Sequence, residues 1–295
     1  MMAKISIIGG GVVGTIVGKG LDALGNSVIF FDINERRVKE LRDQGFKATS
    51  KIVEAVGNSD IAFITVPTPT KRGKIDISYI RSAVGELAKN LKSKKGYYLV
   101  AVKSTVAPRT TERLVVPLLE KNSGKKVGRD IGVCMNPEFL TEIHKSWTKD
   151  KKFKRDFFND ERIVIGEFDK RSGDVLSKLY RPLKIPILRT NMRTAEMIKY
   201  ASNCALALRI SYWNEIFFIC KKIGVDSNYV ARVVGMDSRI GTYGTIHGKA
   251  FGGKCLPKDL AALIAFSREV GHEPKLLKAV EDVNKKIGKV GGVRE

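Results

Sequence analysis

Through the first two thirds of the chain, short β-branched runs alternate with stretches whose apolar residues recur every three or four positions. That alternation predicts βαβ units around a parallel sheet. The strand runs are Ile5–Ile8, Val28–Phe31, Ile61–Val66, Tyr98–Val102, Ile131–Met135 and Ile163–Ile165. Between them, Val12–Leu24, Asn34–Asp43, Ile77–Leu91, Thr110–Glu120 and Lys170–Leu179 read as crossover helices. From Thr194 the texture changes to one helical stretch, Ala195–Ile223, with Thr194 as its N-cap and Gly224 as its stop. At roughly 28 residues it spans ~42 Å, too long for a crossover and suited to a domain spine or a dimer interface. Beyond it come a helix at Ser227–Val234, a glycine-rich segment from Gly241 to Gly253, helices at Lys258–Val270 and Lys275–Ile287, and a Gly-Gly tail without a strand pattern. The fold class is therefore α/β: a Rossmann-like parallel-sheet domain over residues 1–190, then an all-helical domain with a long central helix over 191–295.

Composition supports a packed chain, since 43% of the 295 residues are hydrophobic and 28% charged, unlike a disordered segment. The net charge of +22 fits nucleic acid, a phosphorylated small molecule or a lysine-rich surface. It is spread along the chain, with one dense run from Lys145 to Arg155 and no basic tail, so no nucleic-acid partner is expected. Four cysteines without a CxxC pair and three histidines argue against a metal site or a disulfide framework. No stretch of about 18 apolar residues and no signal-like start is visible; the expectation is a cytoplasmic protein without a membrane partner.

Gly9-Gly10-Gly11-Val12-Val13-Gly14 fits G-x-G-x-x-G between a predicted strand and a predicted helix, and Asp32 closes the next strand near the expected spacing of about 20 residues. Gly9 allows the tight turn, Gly11 the approach of a pyrophosphate and Gly14 close helix–strand packing, while the helix start offers N–H groups through Val12 and Val13. Asp32 would accept from ribose hydroxyls and repel a 2′-phosphate, which favours NAD; Arg36 and Arg37 beyond it read as surface residues. Val66–Thr70, with Pro67 and Pro69, Lys103–Val106 and Asn136–Leu140 end later strands with polar clusters, where open α/β sheets bind ligands. Lys199 and Asn203 share a face of the long helix amid apolar neighbours, a costly setting for an unused lysine. Cys255, in Gly252-Gly253-Lys254-Cys255-Leu256-Pro257-Lys258-Asp259, sits at a helix start between lysines, which favours thiolate. Cys134, Cys204 and Cys220 have apolar neighbours and read as buried structural thiols.

Together these residues resemble the UDP-glucose/GDP-mannose dehydrogenase family. The resemblance runs through the dinucleotide loop, Val66–Thr70, Ser104–Val106, Asn136-Pro137-Glu138-Phe139-Leu140, Lys199 with Asn203, Asn214-Glu215, Asp237–Gly241 and Phe251–Asp259. It implies NAD-dependent four-electron oxidation of the C6 alcohol of a nucleotide sugar, UDP-glucose to UDP-glucuronate, through a thiohemiacetal and thioester on Cys255. Lys199 would stabilise the oxyanion, Asp259, Thr105 and Asn203 would position water, and Glu138 would act as base. NAD would meet Gly9, Gly11, Val12, Val13, Gly14, Asp32, Thr68 and Thr105. Glu138, Phe139, Leu140, Glu142, Lys199, Asn203, Arg239, Tyr243, Phe251, Gly252 and Lys254 would line the substrate, Arg239 reaching it across a homodimer. An apolar face of Leu206, Ile210, Trp213 and Phe217 supports such a dimer.

Two departures stand out. The segment from Ile143 to Phe158 is longer and more basic than the family pattern, and reads as a solvated loop or as a lid that attracts a diphosphate. The sequence also ends where the family continues into a nucleotide-binding third domain. Alternatives are a two-electron β-hydroxyacid dehydrogenase of the 3-hydroxyisobutyrate type, which needs no cysteine, and a non-catalytic NAD-binding subunit.

Overall fold

The computed structural model describes residues 2–71, 74–141, 147, 150–253 and 255–294. In chain order, β1 (Lys4–Ile8), α1 (Val12–Ala23), β2 (Ser27–Phe31), α2 (Glu35–Asp43), β3 (Lys47–Thr49), α3 (Ile52–Gly57) and β4 (Ile61–Ile64) come first. A short antiparallel pair follows, β5 (Thr70–Lys71) with β6 (Lys74–Ile75), then α4 (Ser78–Leu91), β7 (Tyr98–Val102), α5 (Val116–Ser123), β8 (Ile131–Met135), β9 (Ile163–Glu167), α6 (Lys170–Tyr180) and β10 (Ile187–Asn191). The rest is α7 (Met192–Ile223), α8 (Ser227–Val234), β11 (Ala250–Phe251), α9 (Leu256–Glu269), α10 (Lys275–Gly291) and β12 (Val293–Arg294).

Two compact units result: residues 1–69, 76–140 and 155–199, and residues 70–75, 141–154 and 200–295. The first holds an eight-stranded sheet in the order β10-β9-β8-β7-β4-β1-β2-β3, whose run β3-β2-β1-β4-β7-β8 is the Rossmann arrangement. Every residue of β4, β7 and β8 is buried, because helices cover both faces of a parallel sheet. Ile8, Ile64, Val100 and Val102 point into one core with α4 and α5, and Ile7, Phe30, Phe63 and Leu99 into the other with α1 and α6.

The sheet departs from an all-parallel reading at one edge. β9 runs antiparallel to β8 and overlaps it by two pairs, Cys134 with Glu167 and Met135 with Gly166, and β10 runs parallel to β9. The short β3 and α3, and β10, add to the elements expected. Thr194 is not the cap of α7: the helix starts at Met192, and Asn191 Oδ1 accepts from Thr194 N at 2.9 Å, the N-cap-to-N3 geometry. The helix expected over Thr110–Glu120 is a π-helical turn at Thr111–Val115 that passes into α5, because Pro117 has no amide to continue an α-helical ladder from upstream. The Gly-Gly tail ends in β12, which pairs in parallel with β11.

The second unit packs Tyr200, Cys204, Ala207, Ile210, Phe251, Leu260, Leu263 and Val280 around α7, α9 and α10, with Trp147 among them. Ile210 and Trp213 are thus buried within the chain itself, so the face expected to need a second copy is largely covered without one. Nor is the basic segment wholly solvated. Trp147 is 7% exposed in the second unit and Phe157 8% in the first; their large rings gain more from apolar contact than from water. Among the described residues no helix is long and apolar enough to cross a membrane.

Candidate active site

In the first unit, β1 runs straight into the glycine loop. Gly9 has φ of 111° and a Cβ there would meet the Thr65 backbone at 3.0 Å, so only glycine turns the chain this tightly. A Cβ on Gly14 would lie 2.0 Å from the Gly9 carbonyl oxygen. Gly11, which caps α1, has nothing within 4 Å of its missing Cβ, and Val12 beside it is exposed; Val13 completes the first turn. Open space before the amides of a 12-residue helix is what a pyrophosphate requires, so these residues fit NAD. Asp32 lies at the loop: Oδ2 accepts from Gly10 N at 2.8 Å and Oδ1 from Asn34 N at 2.9 Å. Arg36 is a surface residue as expected, its side chain 88% exposed. Arg37 is not: it donates to Gly10 O, to Thr15 Oγ1 at 2.7 Å and to Glu40 at 2.8 Å. A guanidinium fully engaged with its own loop is no standing receptor for a 2′-phosphate.

The ends of β4, β7 and β8 are tied together, as neighbouring parallel strands allow. Ser104 Oγ donates to Val66 O at 2.7 Å, and Lys103 Nζ donates to Asn136 Oδ1 at 3.1 Å and Pro137 O at 3.2 Å. Thr68 is buried and Thr105 half-buried on these loops. Asn136 is the hub, because its Oδ1 also accepts from the Tyr180 hydroxyl at 2.6 Å and its Nδ2 donates to Val164 O at 2.8 Å. The turn that follows presents Glu138, whose Oε1 lies 2.9 Å from Lys199 Nζ while the same ammonium donates to Glu138 O at 2.6 Å. Glu138 Oε2 accepts from Leu140 N at 2.8 Å, and the Phe139 ring lies 5.5 Å from Lys199 Nζ and 4.3 Å from the Arg162 guanidinium.

The Lys199 and Glu138 side chains are 4% and 10% exposed. Burial alone would push the Glu138 carboxyl up, but Lys199, the Leu140 amide and Lys103 outweigh it and hold the group below its usual range. Burial pulls Lys103 down to about 8 against the opposite pull of Glu138 and Asp160. Lys103, Glu138, Phe139, Asp160, Arg162 and Tyr180 line a small cavity. The cluster thus holds a carboxylate between two lysines whose charges are weakly screened. Lys103 is the member to which sequence reasoning gave no role of its own, naming it only within the Lys103–Val106 strand end, although a lysine ending a fully apolar strand was the available signal.

In the second unit, Cys255 is the N-cap of the 14-residue α9, exposed and reduced, with Pro257 in the first turn and Gly253 at φ of 75° before it. Cys134, Cys204 and Cys220 are buried, and burial raises the Cys204 thiol to about 12. One turn into α9, Asp259 is 1% exposed, accepts from Asn203 Nδ2 at 2.6 Å and is paired with Lys258. Its own amide donates to Cys255 O at 2.9 Å. An exposed thiol at a helix N-terminus is the reactive arrangement among the four cysteines.

The loop before α9 is held by two asparagines that the motif reading left without a task. Asn214 accepts from Gly248 N at 2.8 Å and donates to Lys249 O at 2.9 Å, and Asn284 makes both backbone bonds to Phe251, at 2.8 and 3.0 Å. Phe251 itself is buried in the core, Gly252 is half-buried, and Tyr243 packs edge-on against Phe153 at 5.6 Å. Arg239 lies 87% exposed and forks onto Asp237 in its own loop, so this chain alone does not bring it to the other site residues. Glu142, Lys254 and most of the basic segment's first half lie outside the described residues.

The chain is similar to known proteins along most of its length. Residues 40–184 match the NAD binding domain, and residues 193–286 the central domain, of the UDP-glucose/GDP-mannose dehydrogenase family. UDP-glucose 6-dehydrogenase AglM of Haloferax volcanii is 38% identical over 95% of this chain and 69% of its own length. The chain belongs to the UDP-glucose/GDP-mannose dehydrogenase family. It is an NAD-dependent dehydrogenase by that membership. GDP-mannose 6-dehydrogenase of Pseudomonas savastanoi is 37% identical over 94% of this chain and 67% of its own. The solved UDP-glucose dehydrogenase of the archaeon Pyrobaculum islandicum superposes with a TM-score of 0.88 at 34% identity, over 98% of this chain and 69% of that one. The chain therefore spans about two thirds of the length of these family members. Residues 4–75 also match the model described as NADP oxidoreductase coenzyme F420-dependent, the dinucleotide-binding part that such enzymes share.

Proposed function

We propose that the protein oxidises the C6 alcohol of a nucleotide sugar, UDP-glucose in the first instance, to the carboxylate in two NAD-dependent steps. NAD, held by the Gly9–Gly14 loop, Asp32, Thr68 and Thr105, supplies the hydride acceptor for both. In the first oxidation Lys199 stabilises the developing alkoxide at C6, an ammonium fixed beforehand where the charge appears. The Cys255 thiolate then adds to the aldehyde carbon to give a thiohemiacetal, and loss of hydride from that carbon leaves a thioester. Water positioned by Thr105, Asn203 and Asp259 attacks the thioester as Glu138 takes its proton; the C–S bond breaks and the thiolate is regenerated.

The observation that carries this reading is Cys255 itself, the exposed cysteine at the start of α9 with the buried, hydrogen-bonded Asp259 one turn behind it. A two-electron enzyme has no use for that arrangement. Incubation of the purified chain with UDP-glucose and excess NAD is expected to yield two NADH per sugar, and Cys255→Ala to abolish carboxylate formation. One NADH per substrate, or a Cys255→Ala variant at the wild-type rate, would favour a two-electron dehydrogenase. No turnover with UDP-glucose, GDP-mannose or N-acetylated nucleotide sugars would sink the enzyme reading.

A cytoplasmic location belongs to the proposal as well. A homodimer is part of the same proposal, supported by the exposed apolar residues Tyr212, Ile219 and Ile223 on α7 and Tyr229 and Val233 on α8. At spacings of seven and four residues Tyr212, Ile219 and Ile223 share one face of α7, and an exposed apolar stripe of this kind is commonly covered by a partner.

A further inference from the structure

Glu196, on the second turn of α7, is 0% exposed, yet its carboxylate serves a single piece of chain. Oε2 accepts from Arg109 N at 2.6 Å, and Oε1 accepts from Thr111 N at 2.8 Å and from Thr111 Oγ1 at 2.6 Å. Thr111 is itself fully buried, and Arg109 holds φ of 77°, a conformation rare for a residue with a side chain. This segment closes the loop that leaves β7 and contains Thr105. Three residues beyond Glu196, on the adjacent turn of α7, is Lys199, bound to Glu138. All of these residues belong to the first unit.

A buried carboxylate is a costly way to pin a loop, since well-packed apolar residues serve stability as well. Its distinctive contribution is direction. Three donors converging on two oxygens leave the loop one register relative to α7, whereas apolar packing tolerates slippage.

We propose that Glu196 is a positioning residue of the oxidation: it locks the loop bearing Thr105 to the helical turn bearing Lys199, and the lock is tight only while its carboxylate is ionised. The proposal deepens the reading given above and rests on Thr105 and Lys199 meeting the same substrate. Three donors suit a carboxylate; a proton on one oxygen turns an acceptor into a donor facing an N–H. Burial, opposed by those hydrogen bonds and helped by Glu112, raises the group to about 7, so the lock loosens within an accessible pH range. The charged residue whose field reaches it is Glu112, on the turn that follows the loop; Arg193 and Lys199 are three residues away on either side along its own helix, and Glu167 ends the neighbouring β9. Arg193 is paired with Glu112 at 2.7 Å and Glu167 with Arg189 at 2.6 Å.

The test uses the whole chain with Glu196→Gln, and with Thr111→Val as a milder variant that removes one of the three hydrogen bonds. Amide exchange of residues 104–111, read by mass spectrometry without substrate and corrected for intrinsic rates, is expected to be at least about 10-fold faster in Glu196→Gln at pH 8 while the sheet stays protected. In the wild type, protection of the same segment should fall as the pH drops through about 7. With UDP-glucose and NAD, kcat of Glu196→Gln should fall about 100-fold at pH 8, with KM for NAD little changed, and the limb of log kcat near pH 7 should vanish. Thr111→Val should move both readouts the same way by less. Unchanged exchange in Glu196→Gln would overturn the lock. Loosened exchange with wild-type kcat and pH profile would overturn the positioning role and leave a purely structural carboxylate. A wild-type chain without turnover counts against the proposed reaction instead, and the exchange arm then decides the lock alone.

Discussion

At the scale of single residues, the strand-end cluster makes opposite demands on its two lysines. Lys199 faces a carboxylate at 2.9 Å, and its removal would leave the Glu138 charge buried without its main partner, a loss of about 3–5 kcal/mol. Lys199→Ala should therefore lower the urea midpoint as well as kcat, whereas Lys199→Met, which refills the volume, should recover part of the stability and none of the rate. Lys103 behaves differently. Its folded value near 8 lies below the ordinary lysine value, so between pH 8 and 10.5 the unfolded chain holds the extra proton and stability rises with pH across that window. Lys103→Met should flatten that rise in urea titrations repeated over the range; an unchanged slope would mean that Lys103 is solvated. Lys199 could be suspected from sequence because its neighbours along one helix are apolar. Lys103 was legible only as part of a strand-end cluster and Glu196 not at all, because their partners Asn136 and Thr111 are 33 and 85 residues away, and single-helix periodicity carries no information at that range.

Among the elements, α1 shows why one glycine of the loop is structural and another chemical. Gly14→Ala would drive a methyl to 2.0 Å from the Gly9 carbonyl, a backbone clash that cannot be relieved by a rotamer change, and should cost about 3 kcal/mol or more. Gly11→Ala meets nothing within 4 Å; it should leave the melting temperature nearly unchanged and raise the NAD dissociation constant at least tenfold, as titration calorimetry would read. Equal loss of stability in both variants would contradict the packing described for α1. The G-x-G-x-x-G pattern was legible because its spacing reports both tasks at once. The reversal of β9 and β10 was not, since Ile163–Ile165 has the same apolar character in either direction, and strand polarity is decided by connections rather than by composition. Asn191 was missed as a cap for a related reason: Asn and Thr are both good N-caps, and only the β10 pairing decides which of them leaves the sheet last.

For the whole molecule, the two compact units do not correspond to one cut in the chain. Residues 70–75 and 141–154 belong with 200–295, and they contribute Ile75 and Trp147 to its core. A fragment of residues 191–295 should therefore fail to give a cooperative melt, while the full chain gives one; a well-folded fragment would show that these two segments are dispensable. The +22 charge acts on a different scale, as a long-range field that concentrates diphosphates and is screened beyond about 8 Å at physiological salt. For UDP-glucose, kcat/KM should fall as salt is raised while kcat holds. The sheet edge also works as a measuring device. Asn191 stands level with Glu167 and hence with Cys134; from that level Glu138 is reached by one further strand residue and a turn, and Lys199 by seven helical steps from Met192, ~10.5 Å. The two paths meet at the Lys199–Glu138 pair, 2.9 Å apart. A single residue inserted between Met192 and Lys199, whatever its type, would swing the ammonium by about 100° and lengthen one arm of this gauge without the other.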